Sequence, residues 1–128
     1  MVDAADRDIA QRKLQSRVRV HYGDVMALPF QDAVFDKALT VNSIYYWPDL
    51  LKGLRGIARV LKRRGQIAVG FRPPITLRPF TLGWADFHLY EPEDVAELLG
   101  QVGTDVVRVV RTDQWMPLDG VVVIGQRR

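Results

Sequence analysis

Val2, Ala5, Ile9, Ala10 and Leu14 recur at the spacing of one helical face, so residues 3–15 are expected to form an amphipathic helix with a charged opposite side. RVRVHY (17–22) alternates strictly, with Val18, Val20 and Tyr22 on one side and Arg17, Arg19 and His21 on the other, which predicts a half-exposed edge strand. DKALTVNSI contains a short strand at 36–41, and QIAVGF (66–71) is apolar on both faces, as a central parallel strand is. Between them, Pro48 and Asp49 open a helix over about 48–62 with a stripe of Leu50, Leu51, Leu54, Ile57, Ala58 and Leu61, and Gly65 stops it. Pro92, Glu93 and Asp94 start a second helix of the same grammar, with Val95, Leu98, Leu99 and Val102 as its stripe and Gly100 or Gly103 at its end. DVVRVVR (105–111) and GVVVIGQ (120–126) read as two closing strands, and the turn-forming residues between them, Asp113, Pro117 and Asp119 among them, allow an antiparallel pair.

This order predicts a single α/β layer domain over 1–128, with a mostly parallel sheet and one late antiparallel strand. Ligands of such sheets sit beyond the carboxyl ends of the strands, which selects Tyr22–Asp24, Val41–Ser43 and Phe71–Pro74. Residues 72–90 are proline-punctuated and aromatic-rich without either periodicity, and are expected to be an irregular lid or substrate segment.

Composition narrows the chemistry. The 128 residues suit one domain with a real core, and the absence of cysteine removes disulfides, thiolate metal sites and cysteine nucleophiles. With only two histidines no metal site is expected. The net charge of +3 is too mild to argue for nucleic acid, no apolar run reaches membrane-spanning length, and the polar N-terminus is unlike a signal peptide, so the cytoplasm is expected. No Gly-rich phosphate loop, Ser-His-Asp order or HExxH motif is present.

Three consecutive stretches, GDVMALPFQDAVFD (23–36), TVNSIYYWPDLLKGLRGIARVLKRRG (40–65) and QIAVGFR (66–72), carry a family likeness. They resemble the class I S-adenosylmethionine-dependent methyltransferases of the small-molecule type, where GDxxxLPFxDxxFD follows the third strand and a helix ending RVLKPGG leads into the fifth. The resemblance implies a Rossmann-like methyltransferase fold, S-adenosylmethionine as cofactor and a small-molecule methyl acceptor. Two departures stand out. Nothing here matches the family's opening strand and GxGxG turn, so the domain is expected to be N-terminally incomplete, and Arg63-Arg64 stand where the family usually has Pro-Gly.

Carried over residue by residue, Asp24 would accept from the adenine amino group, the Val25 N–H would meet a ring nitrogen, and Met26 and Leu28 would wall the ring; alternatively Asp24 caps a turn. Asn42 falls where the family places a residue near the transferred methyl group, or it is a turn amide bonded to local backbone. Tyr46 and Trp47, beside Tyr45, either line a substrate pocket or cover the core edge. Trp84, Phe87, His88 and Tyr90 lie in the family's variable substrate region. The expected site is therefore Asp24, Val25, Met26 and Asn42 for the cofactor and Tyr46, Trp47, Trp84 and His88 for the acceptor, with Asn42 and His88 as catalytic candidates.

Without the opening strands the 36–41 strand would expose an apolar edge, and exposed edges recruit partners. Either 17–22 pairs with 36–41, or two chains complete each other as a homodimer. The competing function is accordingly a non-catalytic homo-oligomeric or partner-binding module derived from a methyltransferase.

Overall fold

The structure, a computed structural model, describes residues 1–74, 87–112 and 120–128. Helix α1 is Val2–Gln11. It ends before residue 15 because the chain turns through a left-handed Lys13, φ 56°. Its stripe of Val2, Ala5 and Ile9 is half-buried, and no α1 residue is fully buried.

Strand β1 (Phe35–Val41) leads through a 3-10 turn at Ile44–Tyr46 into α2 (Leu50–Val60). Asp49 caps α2, its Oδ1 accepting from Lys52 N at 3.0 Å. Leu50, Leu54, Ile57 and Ala58 of the predicted stripe are buried, Leu51 is half-buried, and Val60, outside that stripe, is buried as well. The helix stops two residues earlier than expected because Leu61 already has extended backbone and opens β2 (Leu61–Phe71). Helix α3 (Pro92–Gln101) begins with Pro92 at its first turn and Asp94 Oδ2 accepting from Glu91 N at 3.0 Å. Gly103, φ 86°, turns the chain out of α3 into β3 (Thr104–Thr112), which precedes β4 (Gly120–Arg127).

The four strands lie in the order β1-β2-β4-β3, with β1–β2 parallel and the β2–β4 and β4–β3 pairs antiparallel. The expectation of a mostly parallel sheet is corrected here: two of the three pairings are antiparallel. The reason is topological. The late antiparallel strand β4 does not flank the sheet but inserts between β2 and β3, so one reversed strand converts two pairings. The antiparallel pairing of the two closing strands is as predicted.

The second correction concerns residues 17–22, which form no strand and pair with nothing in the sheet. Alternation makes a strand only where a neighbouring strand offers its N–H and C=O groups. Here Arg17 N and Val18 N are instead taken by Leu14 O, at 2.9 and 2.8 Å. The segment is held by rings, His21 edge-on to Phe30 at 5.2 Å and Phe30 edge-on to Phe35 at 5.0 Å. The expected 17–22 pairing with 36–41 is therefore absent, and β1 is a sheet edge among the described residues.

The core gathers Leu54, Ile57 and Leu61 with Ile67, Val69 and Phe71 of β2, Val95 and Leu99 of α3, and Val121 and Val123 of β4. No helix among the described residues is long and apolar enough to cross a membrane.

One local feature runs against conformational preference. Between Phe35↔Leu61 and Lys37↔Gln66 the β1–β2 ladder skips, and Lys62–Gly65 bulges out as a tight turn. A Cβ on Gly65 would stand 2.8 Å from Lys62 O and 3.0 Å from Asp36 O, so this position requires glycine. Arg64, just before it, has φ 64°, a conformation in which glycine is unstrained and arginine is not. Arg64→Gly is therefore expected to stabilise the protein by roughly 1 kcal/mol. A denaturation midpoint that stays put or falls would contradict the strain.

Candidate functional site

The carboxyl ends of β1 and β2 lie side by side, and the side chains there are joined by one hydroxyl. Tyr45, brought back over the strand tips by the 3-10 turn, is 3 % exposed. Its hydroxyl accepts from Arg72 N at 2.5 Å and donates to Asn42 Oδ1 at 3.1 Å. Asn42 follows β1 with φ 53°, and its N–H donates to Gly70 O at 2.9 Å. The chain thus turns sharply at the strand tip, as Asn tolerates better than most residues, and Thr40 and Ser43 hydroxyls close the same corner by hydrogen bonding to each other.

A second element comes from the turn at Asp24–Leu28. Asp24 Oδ1 accepts from Met26 N at 2.9 Å and Asp24 O accepts from Ala27 N at 2.9 Å, so the carboxylate is held in an Asx turn, and Oδ2 has no hydrogen-bond partner among the described residues. Asp24 is exposed while Val25, Met26 and Leu28 are half-buried. This turn lies against α2 on the side of Gly53 and Gly56, and of the two it is Gly53 that the packing requires. A Cβ on Gly53 would stand 2.6 Å from Trp47 Cε3 and 3.2 Å from the Met26 methyl, and one on Gly56 would stand 3.5 Å from Val25 O. Arg59, one helical turn further, holds the following loop with Nη1 to Phe30 O and Asp32 Oδ1, both at 2.7 Å, and Nη2 to Leu28 O at 3.0 Å. Between the turn, α2 and β1 runs an apolar groove of about 350 Å³, walled by Val25, Leu28, Ala38, Thr40, Trp47 and Ile57.

The predicted residues divide accordingly. Val25 and Trp47 face the groove, Trp47 being at the same time 8 % exposed and part of the core. Met26 packs toward Gly53. Asn42 joins the strand-tip network rather than the groove lining. Tyr46 is 63 % exposed and edge-on to Phe87 at 5.2 Å, while Tyr45 stacks on Phe87 at 4.8 Å. His88 N donates to Tyr45 O at 2.9 Å, which brings His88 and Tyr46 to one corner of the strand tips. Trp84 lies outside the described residues. Tyr45, expected with its two neighbours either to line a pocket or to cover the core edge, is buried and also links the strand tips, while Arg59 was not singled out, since its partners are 27–31 residues away in sequence.

The groove and turn fit an adenine-like ring: an apolar wall at Val25 and Leu28, beside a carboxylate whose second oxygen is free to accept. The chain has no glycine-rich turn to approach a cofactor's methionine end.

Comparison with known proteins places this geometry. The model of the methyltransferase domain family matches residues 1–69, more than half of the 128. The chain belongs to the class I S-adenosylmethionine-dependent methyltransferase family. It is 32 % identical over 114 residues to 27-O-demethylrifamycin SV methyltransferase of Amycolatopsis mediterranei, covering 89 % of this chain and 38 % of that protein. It is 33 % identical over 100 residues to demethylmenaquinone methyltransferase of Lactobacillus johnsonii, covering 78 % and 41 %. The chain thus spans about two fifths of the length of these curated relatives. Its fold matches the crystal structure of geranyl diphosphate C-methyltransferase from Streptomyces coelicolor with a TM-score of 0.81 at 11 % identity, over 99 % of this chain and 60 % of that one. The YcgJ protein from Bacillus subtilis matches with a TM-score of 0.81 at 14 % identity, over 100 % and 78 %. The fold is the Rossmann-like methyltransferase fold in part, and the family uses S-adenosylmethionine.

Tyr45 gives the strand-tip network a measurable signature. Burial raises its pKa above the ordinary 10.0, against the opposing effect of the Arg72 N–H. The folded state therefore keeps the Tyr45 proton to higher pH than the unfolded state does, so this group's contribution to stability is complete below about pH 10 and is lost as pH rises through the folded pKa. Tyr90, also raised by burial and then by the charge of Asp49, acts in the same direction. Tyr45→Phe orphans Arg72 N–H and Asn42 Oδ1 and is expected to lower stability by about 2 kcal/mol at neutral pH. It also shrinks the alkaline loss without abolishing it, as denaturant titrations from pH 7 to 11 measure; an alkaline slope equal to wild type would refute the role of the hydroxyl.

Proposed function

We propose that this chain forms the adenine- and acceptor-facing part of an S-adenosylmethionine-dependent methyltransferase that methylates a small molecule in the cytoplasm. The observation that carries the reading is the Asp24–Leu28 turn, pinned on Gly53 and Gly56 and presenting a half-free carboxylate beside an apolar groove. When bound, S-adenosylmethionine supplies a methyl group on a positively charged sulfur. Asp24 accepts from the adenine amino group, Val25 offers its N–H to the ring, and Val25 and Leu28 shield the ring from water. Asn42, its side chain oriented by Tyr45, stands at the strand tip where donor and acceptor meet. Methyl transfer needs alignment more than it needs acid or base, so fixing the strand tips is the main contribution of these residues. His88, exposed at the same corner, takes the acceptor's proton where the acceptor must lose one. Tyr46, exposed at that corner, offers the acceptor an apolar surface, and Trp47 stands between it and the groove.

Calorimetric titration with S-adenosylmethionine and its demethylated product tests the reading. Saturable binding that Asp24→Ala weakens roughly tenfold is expected. Absence of binding up to millimolar cofactor in the folded protein would refute it.

A second reading, a non-catalytic homo-oligomer, draws its support from β1. Asn42 N points to β2, so by alternation the N–H and C=O groups of Lys37, Leu39 and Val41 point to the open edge, and Leu39 is 72 % and Val41 57 % exposed. A second copy paired antiparallel about Leu39 would satisfy these groups and cover both side chains. Light scattering is then expected to give a dimer that Leu39→Lys converts to monomer. A wild-type chain that stays monomeric at tens of micromolar would remove this reading.

A further inference from the structure

At the end of the sheet opposite the strand tips, a wide polar cavity of about 720 Å³ is lined by Arg63, Arg64, Asp105, Gln126, Arg127 and Arg128. It draws on three elements whose ends coincide because β4 runs antiparallel to β2 and β3: the bulged turn of β2, the start of β3 and the end of β4. Along β2 it is roughly 20 Å from Arg72, far from the candidate methyltransferase site.

Four arginines and one side-chain carboxylate, Asp105, line it. Two of them are fixed: Arg127 Nη1 donates to Leu61 O, and Arg128 donates to Asp105 Oδ1 at 2.6 Å and to Gly100 O at 3.3 Å. Gln126 Nε2 holds the turn itself, donating to Arg64 O at 3.3 Å. Arg63 and Arg64 have no hydrogen-bond or ion-pair partner for their side chains among the described residues. Arg64 holds its place in a left-handed conformation that suits glycine. Two unpaired arginines, one strained, beside two braced ones make a concave surface with several forks for oxygen anions and a single side-chain carboxylate, Asp105, which Arg128 already engages.

We propose that this cavity is a second binding site, for the di- or triphosphate group of a small molecule. Several adjacent charged forks match an anion with more than one charged centre better than a lone carboxylate. A small ligand fits better than a nucleic acid because the arginines converge on one cavity instead of forming a stripe, and the chain as a whole carries only +3.

Inorganic tripolyphosphate is the probe, titrated calorimetrically into the 128-residue chain at physiological ionic strength. Binding at one site is expected, tighter than that of sulfate at matched ionic strength. Arg63→Gln with Arg64→Gly should weaken it at least tenfold while raising the thermal midpoint, so loss of binding cannot be ascribed to unfolding. Arg128→Gln, which leaves the turn intact, should weaken it several-fold, and Arg17→Gln with Arg19→Gln should leave it unchanged. Equal affinity for sulfate, or equal weakening by the Arg17 and Arg19 changes, would reduce the effect to diffuse charge and overturn the site. Affinity for single-stranded oligonucleotides that exceeds that for tripolyphosphate, grows with length and depends on Arg63 and Arg64 would overturn the small-ligand assignment in favour of a nucleic-acid surface.

Discussion

How closely the Asp24–Leu28 turn approaches α2 governs everything around the groove. One face of α2 carries Leu50, Leu54, Ile57 and Ala58 into the core, and the adjoining face is kept bare by Gly53 and Gly56. Alanine would favour a helix at either position by about 1 kcal/mol. At Gly53, however, its Cβ would be driven into the Trp47 ring, so the helix gives up propensity for contact. Arg59 then fixes the far side of the loop by donating to the Leu28 and Phe30 carbonyls. Gly53 and Arg59 thus hold the turn against the helix, and Val25 and Leu28 form groove walls through that contact.

The same logic explains why some elements were legible in the sequence and others were not. α2 and α3 announce themselves through apolar stripes at helical spacing and through Pro48-Asp49 and Pro92-Glu93-Asp94, signals that are complete within a dozen residues. β3 and β4 are valine-rich and separated by turn formers, again a local pattern. RVRVHY has an equally clear local pattern and forms no strand, because a strand is completed by its neighbour and none is paired to it. The insertion of β4 between β2 and β3 is likewise a property of pairing, invisible in any one segment. The family resemblance located the methyltransferase stretches, which packing alone would not have distinguished from other α/β layers.

Among site residues the division is similar. Asp24 was open to two readings, and the geometry accommodates both: one carboxylate oxygen caps the turn and the other is left to accept. Trp47 belongs to the core, as one of its two readings had it, and it also walls the groove. The linking roles of Tyr45 and Arg59 escaped notice for the same reason, since they lie in partners far along the chain, Arg72 for one and Leu28, Phe30 and Asp32 for the other. A hydroxyl in a run of three aromatics, or a guanidinium in a basic helix end, gives no sequence sign of which distant carbonyl or N–H it will meet.

The distribution of burial also sets where the molecule is firm. β2, β4, α2, α3 and the Ile44–Trp47 turn hold most of the buried side chains, with Thr104 of β3, while α1 has none and β1 leaves Leu39 and Val41 exposed. Local opening should therefore begin on the β1 side of the sheet, where few apolar contacts resist it. Asn42 stands on that side, at the end of the edge strand. Two links tie it to the firm side: its N–H to Gly70 O, and its side chain through the Tyr45 hydroxyl to Arg72. Both partners belong to the end of β2, whose residues 67, 69 and 71 are in the core. The Tyr45 hydroxyl therefore does more than satisfy two polar groups, because it joins the exposed Asn42 side chain to the end of the central strand. A methyl-transfer site depends on alignment held to a fraction of an ångström, and in this fold that alignment is set by the bond network between β1 and β2 and not by burial of β1 itself.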